Sequence, residues 1–224
     1  MYLITIDGPA ASGKSTVAKL VAQKLNIVHI NSGEAYRAIA YFMLNSAIAP
    51  TDEQSVIKAL ENNAFDMKYI DGKQVLLVNG QDITNQLHTN QVNAVVSQYG
   101  KIPEVIYASS DMARNICKDM SVVMEGRNLG SYCFPDANYK FYIDCDVKER
   151  AIRRYNEMLQ KGSNIDFSTI YNQTIERDNL DKNRAVAPLK VPEGAVMLDS
   201  TNLTPEQVAS KIAEIVLDNQ QVLK

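Results

Sequence analysis

At 224 residues the chain is long enough to bury a full core and reads as one domain with excursions. Its formal charge of −3 excludes a general nucleic-acid binder, so any basic cluster must be local. No apolar run approaches the roughly 18 residues of a membrane span, and the short apolar N-terminus is unlike a secretory leader, so a cytoplasmic protein with no membrane partner is expected. Cys117, Cys133 and Cys145 show no ligand spacing and read as reduced, partly buried thiols. His29 and His88 stand apart from each other and from any cysteine or acidic ligand pattern, and read as structural.

The first element is a strand over 2–6, carried by Tyr2, Leu3, Ile4 and Ile6. Gly8-Pro9-Ala10-Ala11-Ser12-Gly13-Lys14-Ser15 follows and matches G-x-x-x-x-G-K-[ST] at every fixed position. Val17, Ala18, Leu20, Val21 and Leu25 are then spaced like one face of a helix. Strand, loop and helix in this order point successive backbone N–H groups into one concavity at a positive helix end. The glycines let the backbone curl without Cβ clashes. Lys14 is expected as a mobile, solvent-exposed ammonium for β/γ-phosphates, and Ser15 as a hydroxyl for Mg²⁺. Gly8, Ala10, Ala11, Ser12, Gly13, Lys14, Ser15 and Thr16 are therefore the candidate triphosphate site.

A second strand is predicted over 27–30, and Ser32-Gly33-Glu34-Ala35-Tyr36-Arg37 opens the helix after it. Residues 64–88 read as a β-hairpin around Asp71-Gly72, set between helical segments at about 52–62 and 89–116 as an insertion would be. The third strand, 121–124, ends in Glu125-Gly126-Arg127-Asn128, at the carboxyl edge where open α/β sheets bind ligands. Strand 139–143 leads into a basic stretch, 147–167, with Lys148, Arg150, Arg153, Arg154 and then Lys161-Gly162. Such charge is ordinarily a solvated face, but beside a triphosphate site it reads as a mobile arginine-bearing lid. Arg177, Asp181 and Arg184 fall at i, i+4 and i+7 on one predicted helical face, where a plain salt-bridge ladder is the alternative. Strand 195–198 precedes a final helix with Thr204 as N-cap, Pro205 at its first position, Gln207 closing a capping box and Val208, Ile212, Ile215 and Val216 as its buried stripe. The alternation predicts βα units and a mainly parallel sheet. Arginines gathered in three short motifs predict an anionic second substrate.

Several blocks carry a resemblance: Ile6-Asp7-Gly8-Pro9 through Lys14-Ser15, Asn31-Ser32-Gly33 with Tyr36-Arg37, and Glu125-Gly126-Arg127-Asn128-Leu129-Gly130 followed by Phe134-Pro135-Asp136-Ala137. Glu149-Arg150-Ala151 with Arg153-Arg154-Tyr155, and Arg177-Asp178 through Asp181, Arg184 and Ala187-Pro188-Leu189, complete the set. On these the chain closely resembles the bacterial cytidylate kinases, of the nucleoside monophosphate kinase group. The blocks span nearly the whole chain in family order. The phosphate loop is shared by many families, whereas the two arginine blocks are far more specific.

The resemblance implies an α/β fold: a P-loop core of five parallel strands flanked by helices (1–32, 118–146 and 168–224). It also implies a nucleotide-binding insertion with the hairpin (about 33–117) and a helical lid (about 147–167). It implies ATP as phosphoryl donor with Mg²⁺, and CMP or dCMP as acceptor, in a monomer. Carried over by matching positions, Lys14, Arg127 and Arg154 would be catalytic, and Arg37 and Arg127 would grip the acceptor phosphate. Ser32, Arg114, Asn128 and Arg184 would face the base, and Ser97, Arg177 and Asp181 the sugar, while Arg150 and Arg154 would belong to the lid. Asn31 stands where the family often has Asp, and Asn128 departs from its usual E/D-G-R-D, which bears on base selectivity rather than on the reaction. The alternative is another small-molecule P-loop kinase, acting on UMP/CMP, shikimate or a coenzyme precursor. A GTPase-type switch would need D-x-x-G and N-K-x-D, and neither occurs.

Overall fold

The computed structural model describes residues 1–160 and 162–222; Lys161, assigned by sequence to the lid, lies outside the described residues. In chain order the elements begin with β1 (Leu3–Asp7), α1 (Lys14–Leu25), β2 (Val28–Asn31), α2 (Gly33–Asn45) and α3 (Glu53–Asn62). Next come β3 (Phe65–Ile70), β4 (Lys73–Val78), β5 (Gln81–Asp82), α4 (Asn90–Tyr99) and α5 (Pro103–Ile116). The last are β6 (Val122–Glu125), β7 (Tyr139–Asp144), α6 (Val147–Gln160), α7 (Phe167–Lys182), β8 (Val196–Asp199) and α8 (Pro205–Val222). The chain divides into two compact units: Met1–His29 with Met120–Asn183 and Pro188 onward, and Ile30–Asp119 with Arg184–Ala187.

The first unit is built on a five-stranded sheet in the order β2-β6-β1-β7-β8. β1 pairs in parallel with both β6 and β7, and β7 in parallel with β8. A central parallel strand is covered on both faces, and from Ile4 to Asp7 every residue of β1 is buried accordingly. Ile4, Ile6, Val17, Val21, Phe141, Ile143, Val208, Ile212 and Val216 form the core where α1 and α8 pack. The capping box closes as its residue types require: Thr204 N–H donates to Gln207 Oε1 at 2.8 Å, and Gln207 N–H to Thr204 Oγ1 at 3.2 Å. Among the described residues, no helix is long and apolar enough to cross a membrane.

The second unit holds an antiparallel sheet, β3-β4-β5, against helices. Asp71-Gly72 turns the hairpin with φ of +50° and +77°, the left-handed pair of a type I′ turn. A second such turn at Asn79-Gly80, φ +51° and +80°, adds β5, which the sequence reading did not anticipate. Gln81 and Asp82 are both exposed, so no hydrophobic alternation signals a strand there. The helical stretch expected over 89–116 is two helices: Pro103 opens α5 and holds Ile102 extended (φ −72°, ψ 124°).

The carboxyl ends of β1, β6 and β7 frame the phosphate loop. Gly8 adopts φ +148°, and a Cβ there would lie 2.1 Å from the backbone oxygen of Ile143. Gly8→Ala is therefore expected to cost about 3 kcal/mol or more in urea unfolding, because backbone must move. Gly194→Ala, at φ +69° but facing open space, should cost only about 1–2 kcal/mol. Equal losses would show that conformation rather than the approach to β7 sets the requirement.

Candidate active site

Gly13, in a left-handed conformation (φ 88°), precedes α1 and turns the loop into the helix. Lys14 does not reach into solvent as expected. It is 4 % exposed, and its ammonium donates to the Pro9 carbonyl at 2.6 Å and to Ser12 Oγ at 3.3 Å. The loop's own oxygens replace water around the charge. Burial pushes the lysine well below its ordinary range, Arg127 adds to that, and Glu125, Asp7 and Asp181 oppose it. Ser15 Oγ donates to Glu125 Oε2 at 2.7 Å. His29, read from sequence as isolated, sits with Nε2 3.6 Å from Glu125 Oε1. Burial raises Glu125 most, but His29, the Ser15 hydroxyl and the Lys14 charge together hold it below the usual carboxylate range.

Asp7 closes β1 and is 0 % exposed. Its two carboxylate oxygens accept from the backbone N–H groups of Leu129 (2.9 Å) and Gly130 (2.8 Å). Burial nevertheless dominates and raises it from 3.8 to about 6. Sequence reasoning passed over this residue; the available signal was an ionisable side chain inside an otherwise apolar strand. Arg127 donates through Nε to Asp181 Oδ2 at 3.1 Å, from just beyond the end of β6. Asn128 is 5 % exposed, and its buried Nδ2 has no hydrogen-bond partner among the described residues.

Arg150, on α6, is buried and donates to Cys145 O, to Ala10 O in the phosphate loop and to both oxygens of Asp178 on α7 (3.0 and 2.5 Å). Its neighbour Arg153, not singled out as a site residue by sequence, donates to Ser200 O (2.8 Å) and lies 3.8 Å from where a Gly13 Cβ would stand. Arg154 is more exposed than Arg150 and Arg153 and is paired with Glu157 at 2.8 Å. The predicted face of Arg177, Asp181 and Arg184 is not continuous: α7 stops at Lys182, and Arg184 lies in the other unit. Asn183 leaves the helix at φ −101°, ψ 13°, so the i+7 spacing no longer places Arg184 on that face. Asp181 and Asp178 pair across elements with Arg127 and Arg150 instead of building a ladder.

In the second unit Ser32 is buried before α2, and Asn31 satisfies the start of the helix by accepting from Gly33 N–H at 2.9 Å. Arg37 donates to Asn93 Oδ1 (2.7 Å) and Leu87 O (3.3 Å). Ser97 is half-buried on α4, Arg114 is exposed on α5 beside Asp111, and Arg184 donates to Gly100 O at 3.4 Å. His88 meets Glu34 at 3.1 Å.

Among the described residues no group of three or more His, Cys, Asp or Glu is arranged to hold a metal. A serine hydroxyl and a carboxylate 2.7 Å apart are hard oxygen donors that suit Mg²⁺ when phosphate oxygens and water supply the remaining ligands.

A family model described as cytidylate kinase matches residues 4–218. A protein described as cytidylate kinase from Geobacillus sp. (strain WCH70) is 40% identical over 213 residues, covering 95% of this chain and 95% of its own length. One from Caldicellulosiruptor saccharolyticus is 38% identical over 212 residues, covering 95% and 94%. One from Clostridium botulinum (strain Okra / Type B1) is 41% identical over 213 residues, covering 95% and 96%. An uncharacterised protein from Eubacterium ventriosum ATCC 27560 has a similar fold, with a TM-score of 0.50 at 12% identity over 97% of this chain and 98% of that one.

Asp178→Ala should leave the Arg150 guanidinium buried and unpaired. A loss of about 3–5 kcal/mol is expected in urea unfolding. Glu157→Ala, which removes an exposed partner of Arg154, should cost less than about 1 kcal/mol.

Proposed function

The chain belongs to the cytidylate kinase family, which passes the γ-phosphoryl group of ATP to CMP, and from that premise we propose the roles of its residues and its acceptance of dCMP. The observation that carries the reading lies within the first unit. One segment, Glu125 to Arg127, offers a carboxylate to the phosphate-loop serine at 2.7 Å and, two residues on, a guanidinium steadied by Asp181 at 3.1 Å. A donor-side loop and a cation for a second anion on one short segment suit transfer between two phosphates better than hydrolysis.

The backbone N–H groups of Gly8 and of Ala10, Ala11, Ser12, Gly13, Lys14, Ser15 and Thr16 cradle the triphosphate, with Lys14 on the β/γ-phosphates. Arg150 supports the loop from behind, since it holds the Ala10 carbonyl and is itself buried. Mg²⁺, held by the Ser15 hydroxyl with the Glu125 carboxylate at hand, would cancel charge on the β- and γ-phosphate oxygens. On the family's pattern the proposed assignments in the first unit are Arg127 to the acceptor phosphate, Asn128 to the base and Arg177 and Asp181 to the sugar. In the second unit they are Arg37 to the phosphate, Ser32, Arg114 and Arg184 to the base and Ser97 to the sugar.

The acceptor is already an anionic oxygen, so the reaction needs no strong general base. In-line placement of the two phosphates and neutralisation of charge on the transferring group lower the barrier. Lys14, Arg127 and the more exposed Arg154 supply that neutralisation, and exclusion of water by α6 and the segment beyond it protects the phosphoryl group from hydrolysis.

The direct test is ADP release with CMP, dCMP, UMP, AMP and GMP offered singly. CMP and dCMP should support turnover, and ADP should not form without an acceptor. AMP or GMP as the best acceptor would overturn the reading. Lys14→Met should lower kcat by about 10³-fold, the scale for removing a positioned charge from a transition state. The acids that Lys14 compensates lose a partner in this variant, so urea unfolding of the same protein separates loss of the charge from loss of the fold. Retention of more than about a tenth of kcat would remove Lys14 from the mechanism.

Asn128 carries both an acceptor oxygen and a donor amide, and its Nδ2 is buried without a partner among the described residues. Such a side chain can accept from the exocyclic amine of cytosine or donate to the O4 of uracil. Asn128→Asp should therefore raise the ratio of kcat/KM for CMP over UMP by about tenfold, the usual scale for leaving a polar group wrongly paired. An unchanged ratio would show that position 128 does not read the base.

A further inference from the structure

The segment that presents Arg127 and Asn128 is held by one buried side chain. Gly126 N–H still donates to Ile6 O at 3.0 Å, extending the β1–β6 pairing past the strand end. Beyond it the backbone turns, and Leu129 and Gly130 aim their N–H groups at separate oxygens of Asp7 (2.9 and 2.8 Å). Gly130 is wedged there: a Cβ would lie 2.9 Å from Thr5 Oγ1 and 3.0 Å from Pro192. Asp7 also immediately precedes Gly8, so the same residue ends at the phosphate loop. We infer that Asp7, as a carboxylate accepting from both N–H groups, is the positioning residue that sets Arg127 and Asn128 against the phosphate loop. This rests on the proposed role of Arg127 at the acceptor phosphate.

Two acceptor oxygens are the feature that matters. An asparagine, or a protonated aspartic acid, has one acceptor and turns a donor toward the second N–H, leaving a buried backbone group unsatisfied. The charged and titratable groups around the carboxylate are Lys14 at the head of α1, Arg127 after β6 and Tyr142 opposite it on β7. Glu125 stands one register step away, opposite Ile6. Burial raises Asp7 from 3.8 to about 6, so the carboxylate form gives way in mildly acidic solution.

The sign of the effect separates positioning from stability. A carboxyl group raised in the fold contributes stability that is full below about 4 and is lost as pH rises through about 6. Positioning runs oppositely, since the carboxylate is the competent form. The experiment compares kcat/KM for CMP in Asp7→Asn and in the parent protein from pH 5.5 to 8, with the second ionisation of CMP cancelling in the ratio. The variant should be about 30-fold slower at pH 8, and the deficit should shrink to about eightfold at pH 5.5, where about three-quarters of the parent carboxyl is itself protonated. A flat ratio, or parent-like activity at pH 8, would overturn the inference.

In the unsubstituted protein, the amide proton resonances of Leu129 and Gly130 should move together with one midpoint near 6, as the carboxyl titrates. Two resonances that do not titrate would overturn it even if the variant failed to fold. A parent protein that is inactive on CMP, with the amides still titrating, would instead remove the proposed function and leave Asp7 as the anchor of the turn.

Discussion

A buried ammonium governs the first unit. Lys14 sits inside the phosphate loop with about as little solvent as a core valine, and such a charge is tolerable only where oxygens replace its hydration. Pro9 and Ser12 supply two of them directly. Asp7, Glu125 and Asp181 supply compensating charge from the end of β1, the end of β6 and the last turn of α7. These acids sit where they do because the strand ends and one helix end converge on the loop. Arg127 works against the ammonium, and Asp181, which takes its Nε, offsets part of that repulsion.

Arginines in this unit divide by burial into those that hold and those that remain available. Arg150 meets Asp178 through two hydrogen bonds and also reaches a loop carbonyl, so it ties α6, α7 and the phosphate loop into one assembly. Losing either partner would strand a desolvated charge, which makes the pair a lock rather than a source of net stability. Arg154, one turn later, pairs with an exposed glutamate, worth a fraction of a kcal/mol by the usual scale of surface pairs. That guanidinium can change partners at small cost, as a group that acts on a ligand must. Four residues along one helix thus separate an anchor from a movable cation.

The second unit answers to backbone chemistry more than to charge. Asp71-Gly72 and Asn79-Gly80 each supply the left-handed pair that a tight hairpin turn needs, and Pro103 divides what periodicity joins into α4 and α5. Tyr99, at the end of α4, is buried with its hydroxyl donating to Ile48 O at 2.5 Å.

Hydrophobic spacing and local cap chemistry were enough to locate the sheet strands, α1, the first hairpin and α8 with its capping box, because these depend on neighbours within a few residues. The G-x-x-x-x-G-K-S loop and the arginine blocks were likewise legible, and they determined the family. Burial and pairing across elements were not. The loop sequence alone does not say that the Lys14 ammonium turns inward, since two of the acids that make this possible, Glu125 and Asp181, lie in β6 and α7. Arg177, Asp181 and Arg184 look like one helical face until the chain leaves α7 at Asn183. Asp7 reads as one polar letter in an apolar strand; only the turn after β6, more than a hundred residues away, supplies the two N–H groups that give its carboxylate a purpose. Periodicity reports which way a residue faces along its own element. Which charge it meets there is decided by where the chain returns.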